Sequence, residues 1–186
     1  MIINRIKQFL VVTAILSVAL LTQVFNSSVR ADSEFAAPVL PAGCSNIEVS
    51  TIPEPMFRVY AKGYQIYRWD GAAWVFVAPV ADLYTSPDYT GQVGTHYVGP
   101  TWESSGGGKV VAARIAGCTP DLTAIPWLKL QTVSTEGRGV FRKVAFIQRV
   151  NTAGGIAPQV AGKRVGEEMW VPYTAEYYFY GNQEVL

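Results

Sequence analysis

The run Tyr64-Gln65-Ile66-Tyr67-Arg68-Trp69 is followed by Asp70-Gly71 and then by Trp74-Val75-Phe76-Val77. Both apolar runs are rich in aromatic and β-branched residues, which favour strands. An Asp-Gly pair between two such runs is a strong local signal for a tight turn. The sequence therefore predicts a β-hairpin over residues 64–77.

Short runs of the same kind recur along the rest of the chain, separated by glycine and proline. No segment after residue 31 keeps apolar residues at helical spacing over three turns, and one helical turn is expected around Asp121–Ile125. This pattern predicts an all-β fold, a single-domain antiparallel β-sandwich or β-barrel with minor helix. The further predicted strands are Phe57–Ala61, Ala81–Tyr84, Val93–Val98, Thr101–Ser104, Val110–Ile115, Trp127–Val133, Val140–Val150 and a final pair, Met169–Pro172 and Tyr177–Tyr180.

The first 31 residues have the pattern of a cleavable signal peptide. Arg5 and Lys7 precede an apolar run from Phe9 to Leu21, and the small residue Ala31 ends the segment. A membrane anchor is the alternative, but the run is shorter than the roughly 20 residues that a spanning helix needs. We therefore expect residues 1–31 to be a signal peptide, 32–43 a flexible lead-in and 44–186 a single β domain, secreted or periplasmic and without a membrane span after cleavage.

The charge of the predicted mature chain bears on its partners. Removal of residues 1–31 leaves 12 basic and 14 acidic residues, a formal charge of −2. The lysines and arginines are mostly scattered, whereas a nucleic-acid binder normally carries a basic stripe. We expect no nucleic-acid partner.

Cys44 and Cys118 are the only cysteines, and in an exported chain an even pair most simply forms one disulfide. Two buried thiols and a two-cysteine metal site are the alternatives. Because the chain contains one histidine, no metal site is expected.

The most chemically varied stretch runs from Gly94 to Glu103 and holds the only histidine, His96. Gly99-Pro100 bends the chain after this strand, so Trp102 or Glu103 could come near the imidazole. A pair of His96 and Glu103 could perform general acid–base catalysis. A histidine hydrogen-bonded at a sheet end is the structural alternative. The candidate ligand-binding residues are His96, Tyr97, Trp102 and Glu103, and the candidate catalytic residues are His96 and Glu103.

Recognised catalytic and cofactor motifs are missing from the sequence. Gly106-Gly107-Gly108-Lys109 lacks the Ser or Thr and the following helix of a phosphate-binding loop, and Gly137-Arg138-Gly139 lacks the βαβ context of a dinucleotide site. We therefore expect no cofactor, and the enzyme hypothesis has less support than a binding role.

Tyrosine and tryptophan are abundant, and they can form either a β core or a platform for flat ligands. The favoured function is a non-catalytic binding module for a small molecule, a glycan or an envelope component. The alternatives are a secreted enzyme that uses His96 and Glu103, and a structural or stress-associated envelope protein.

Seven stretches spread over nearly the whole predicted mature chain carry a family resemblance. They are Gln65–Tyr67, Trp74–Pro79, Gly94–Tyr97, Gly99–Glu103, Ala124–Leu128, Ile147–Gly155 and Val171–Tyr180. Together they closely resemble the exported proteins of the domain-of-unknown-function family DUF3455. The resemblance implies export but no established activity, substrate or cofactor. Some fungal relatives carry a malate dehydrogenase label, which this sequence does not support because it lacks a nicotinamide-binding fingerprint.

Overall fold

Eight β-strands form the framework of the protein in a computed structural model, which describes residues 35–52 and 54–181. Two short 3-10 turns, Ser45–Ile47 and Val140–Lys143, complete the regular structure of these residues. The strands are β1 (Phe57–Trp69), β2 (Trp74–Tyr84), β3 (Gln92–Tyr97), β4 (Thr101–Ser104), β5 (Lys109–Cys118), β6 (Trp127–Glu136), β7 (Val144–Gly154) and β8 (Glu168–Gly181).

The sheet closes on itself. Each strand pairs in antiparallel orientation with the next along the chain, and β8 returns to pair with β1 from Phe57↔Phe179 to Arg68↔Glu168. The all-β prediction is confirmed, and of the two predicted architectures the protein adopts the barrel.

The predicted hairpin is confirmed and is longer than the sequence signal, since β1 and β2 extend well beyond it. Asp70 fixes the turn, because its Oδ1 accepts hydrogen bonds from the backbone N–H groups of Ala72 and Ala73, both at 2.8 Å. Gly71 adopts a φ of 106°, a conformation that favours glycine. The turn residues therefore have a direct structural role.

The division of the final residues into two strands, Met169–Pro172 and Tyr177–Tyr180, is wrong, because both runs lie in the single strand β8. Pro172, where the first of them was expected to end, pairs with Tyr64 of β1. The pairing of β8 with β7 stops at the neighbouring Tyr173, so Pro172 needs no N–H for a bond to β7. A strand tolerates the missing N–H at such a position.

The helical turn that the sequence predicts around Asp121–Ile125 does not form. These residues form a non-helical turn that the side chain of Asp121 stabilises by hydrogen bonds. Oδ1 of Asp121 accepts from the backbone N–H of Thr123 at 2.7 Å and from its hydroxyl at 2.6 Å. An aspartate side chain that satisfies nearby donors competes with helix formation.

Side chains alternate between the two faces of each strand, so the apolar residues form two clusters, one inside the barrel and one on its outer surface. Tyr173, Ala175, Tyr177 and Phe179 of β8 point into the barrel, where they belong to the main core. Tyr178 and Tyr180 belong to a second cluster that includes three apolar residues of the N-terminal segment: Ile47, Val49 and Ile52. Residues 44–52 therefore cover one outer face of the barrel.

The covering segment is tied to the barrel by covalent and polar contacts. Cys44 and Cys118, the last residue of β5, are joined by a disulfide with Cα atoms 5.4 Å apart. Gln148 Nε2 donates to the Ile47 carbonyl at 2.6 Å, and Gln148 Oε1 accepts from the Tyr180 hydroxyl. The predicted signal peptide lies outside the described residues. Within the described part of the chain, no helix has the length and apolar character needed to span a membrane.

The two ends of the barrel interior differ. At one end, aromatic rings fill the space: Phe57 stacks on Phe179 with ring centroids 4.5 Å apart, and Phe141 lies 5.2 Å from Phe179. The opposite end, near the loops that follow β3 and precede β6, contains a cavity.

Candidate functional site

The cavity at this end of the barrel has a volume of about 550 Å³. An eight-stranded barrel is just wide enough to be filled by its own side chains or to hold one small ligand. The volume lies within the range usual for small-molecule sites. Most of the wall is apolar and includes Phe76, Val77, Val98, Ile125, Leu128 and Leu130.

Arg149 brings a positive charge to this apolar wall. In β7 the side chains alternate, so that Ile147 and Arg149 face the interior whereas Gln148 faces the N-terminal segment. The guanidinium is held in place by the Pro126 carbonyl, which accepts from Nε at 3.1 Å and from Nη2 at 2.8 Å. No carboxylate among the described residues forms an ion pair with it. The ion pairs there join Arg58 to Glu176, Arg68 to Glu168, and Lys109 to Glu103 and Glu136.

His96 forms part of the same wall and is almost fully buried. Its ring lies parallel to the indole of Trp102, with centroids 4.3 Å apart. The only hydrogen bond of the ring within the described residues joins Nδ1 to the Thr101 carbonyl at 2.8 Å. Since a carbonyl can only accept, Nδ1 carries the proton and Nε2 keeps its lone pair.

The protonation state of His96 follows from its surroundings. Burial lowers the pKa of His96 to about 3, and the positive charge of Arg149 acts in the same direction. The hydrogen bond to Thr101 opposes this shift only partly. The imidazole is therefore neutral at physiological pH, and the positive charge within the cavity wall comes from arginine.

Buried polar side chains gather close to the cavity. The hydroxyls of Tyr173 and Tyr177 interact with each other, Tyr173 also interacts with Gln65, and Tyr177 also interacts with Arg149. Burial raises the pKa of both tyrosines, so both hydroxyls keep their protons. Trp102 Nε1 is a buried donor without a hydrogen-bond partner within the described part of the protein. Buried donors are usually paired, so an unpaired indole N–H in the cavity wall points to a site for a ligand acceptor.

The four candidate ligand-binding residues are divided between two faces of the sheet. His96 and Trp102 lie directly opposite each other across β3 and β4 and are brought together inside the barrel. Glu103 pairs with Thr95 in the register, and its carboxylate accepts a hydrogen bond from Tyr97. Tyr97 and Glu103 therefore lie together on the outer face, and the structure does not bring Glu103 to His96.

The reason is the length of the loop between β3 and β4. Tyr97 pairs with Thr101, so the loop consists of Val98, Gly99 and Pro100. This length places residues 96 and 102 opposite each other, and the adjacent residue 103 must then point to the other face.

Arg149, Gln65 and Tyr177 belong to the site and were not among the candidates from the sequence. One signal for Arg149 was present. In the apolar strand Val144–Val150, Arg149 is the only charged side chain, and it has the same parity as Ile147. A charged residue at an inward position of a strand is unusual and indicates a special role.

Comparisons with known proteins identify a family but no characterised relative. Residues 50–181 match the model of a family described as a protein of unknown function, DUF3455. No curated protein and no solved structure matches the chain significantly.

Proposed function

Because this chain belongs to the DUF3455 family of proteins of unknown function, its role has to be inferred from its own cavity, and we propose that the barrel binds a small organic molecule there. The protein acts in this proposal as a binding module, without a catalytic step.

One observation carries the proposal: the cavity combines an apolar wall with Arg149 and a few buried polar side chains. Protein interiors are normally packed with few voids larger than a water molecule. The aromatic end of this barrel follows that rule, whereas the opposite end leaves about 550 Å³. An apolar pocket with a few convergent polar groups is the usual form of a small-molecule site.

Filling the cavity from its wall should abolish binding. Val77 lines the cavity and is partly exposed, so Val77→Trp adds a large ring at the opening. We expect naphthalene derivatives to raise the melting temperature of the native protein and to leave that of Val77→Trp unchanged. A ligand at 100 times its Kd adds about 2.7 kcal/mol to stability, which a thermal-shift experiment detects.

Val133→Trp is the matched control, because Val133 is an exposed residue of β6 outside the cavity. This variant should keep the response of the native protein. If a naphthalene derivative stabilises Val77→Trp as much as the native protein, the binding site lies elsewhere. If no naphthalene derivative stabilises the native protein, the result counts against a small-molecule role.

We propose in addition that the chain is exported. The support is the signal-peptide pattern of residues 1–31 and the disulfide between Cys44 and Cys118, a bond typical of oxidising compartments. N-terminal sequencing of the protein recovered from the cell exterior or periplasm should begin at or near Asp32. An exported protein that retains Met1 would contradict cleavage.

A further inference from the structure

We infer that the ligand of the barrel cavity is a monocarboxylate with an apolar body, and that Arg149 binds its carboxylate. The inference rests on the proposed function, since it assigns the chemical class of the molecule that the cavity takes.

The positive charge of Arg149 is not matched by a carboxylate. A guanidinium has five N–H donors, and its partners within the described residues are the Pro126 carbonyl and the Tyr177 hydroxyl, neither of which carries a negative charge. It is partly buried in an apolar wall that contains no aspartate or glutamate. Removing a charge from water without a partner is unfavourable, so the site favours an anion that enters with the ligand.

The remaining polar groups around Arg149 are mainly donors. Arg114 also lines the cavity, but it is exposed to solvent and its charge is hydrated. Tyr177 lies opposite Arg149 in the register of β7 and β8, and its buried hydroxyl interacts with Arg149 and Tyr173. Trp102 Nε1 is a buried donor without a partner among the described residues. Donors therefore predominate around Arg149, and a group of acceptor oxygens complements them.

The geometry of the guanidinium and the composition of the wall define the anionic group and the rest of the ligand. A planar guanidinium matches the two oxygens of a carboxylate, and one inward arginine compensates one negative charge. The neutral His96 adds no charge. Beyond these groups the wall consists largely of aliphatic and aromatic side chains, such as Phe76, Leu128 and Leu130, which suit an apolar body.

The test compares two probes of nearly equal shape and different charge. Calorimetric titration of the native full-length domain with 2-naphthoate and 2-naphthamide should show about 10- to 100-fold tighter binding of the carboxylate, the range expected for a charge-assisted hydrogen-bonded pair. Arg149→Gln should remove this preference, because it should lower the affinity for 2-naphthoate and leave the affinity for 2-naphthamide nearly unchanged.

Arg142→Gln is the control for the loss of one positive charge, because Arg142 is exposed on the 3-10 turn that carries Phe141 at the other end of the barrel. It should keep the preference for 2-naphthoate. If Arg149→Gln does not fold, the ratio of the two affinities on the native protein still decides whether the ligand is a carboxylate, and Arg149→Lys, which keeps the charge, then tests the role of the residue through the same ratio.

The outcomes separate the inference from the function on which it rests. Equal affinity for both probes, with both blocked by Val77→Trp, would overturn the carboxylate and leave the cavity as a binding site. A preference for 2-naphthoate that survives in Arg149→Gln would overturn the role of Arg149. Binding of either probe that Val77→Trp does not affect, or binding of neither probe, would overturn the carboxylate inference and count against the proposed function as well.

Discussion

Acidification from pH 7 to pH 4.5 should lower the free energy of unfolding by about 2.5 kcal/mol through His96 alone. The imidazole is buried and neutral in the native protein, with a pKa of about 3, whereas in the unfolded chain it titrates near 6.5. Between these values the unfolded chain binds one more proton than the native protein. The contribution of His96 is therefore complete above pH 6.5 and declines as the pH falls toward 3.

Urea denaturation across this pH range should show the effect in the native protein and not in His96→Asn. The asparagine amide can still donate to the Thr101 carbonyl, which the Nδ1 of His96 contacts at 2.8 Å, but it does not titrate. Because the chain contains one histidine, NMR of its ring protons gives the pKa directly. A midpoint near 6.5, or the same pH dependence in both proteins, would show that His96 is not buried as described.

Loss of the disulfide should lower the free energy of unfolding by about 2 to 4 kcal/mol. Cys44 and Cys118 are separated by 74 residues, and their bond restricts the unfolded chain. It also attaches residues 44–52 to the barrel, where they cover Tyr178 and Tyr180. The double variant Cys44→Ala and Cys118→Ala should unfold at a lower urea concentration than the oxidised native protein.

Reduction of the native protein is the matched comparison and should shift the urea midpoint to nearly that of the double variant, while the double variant itself should not respond to reductant. Mass spectrometry without reduction should show a peptide that contains both Cys44 and Cys118. Two alkylatable thiols in the exported protein, or an unchanged midpoint on reduction, would argue against a stabilising bond.

Local signals in the sequence predict where strands occur, but they divide each of the long strands β1, β2 and β8 into two and start β7 too early, at Val140. The aromatic runs around Asp70-Gly71 predict the first hairpin, and Thr101–Ser104 is a strand with the predicted bounds. The choice between sandwich and barrel depends on the pairing of β1 with β8, in which Phe57 meets Phe179. No local pattern specifies a contact between such distant residues, so the sequence left both architectures open.

The candidate site was only partly predictable for a related reason. His96 and Trp102 lie on neighbouring strands, and the short segment between them made their contact foreseeable. Arg149, Gln65 and Tyr177 come from three other strands and meet His96 only because the barrel closes. Glu103 is close in sequence but faces outward, since the loop length determines which face each residue occupies.

Closure by β8 has a consequence for the exposure of strand edges. β8 supplies pairing partners to both β1 and β7, so neither of those strands has its full set of neighbours without residues 168–181. A variant that lacks β8 would expose two unpaired strand edges, which are templates for association with other chains. The same closure that creates the cavity thus also protects the sheet against edge-to-edge association.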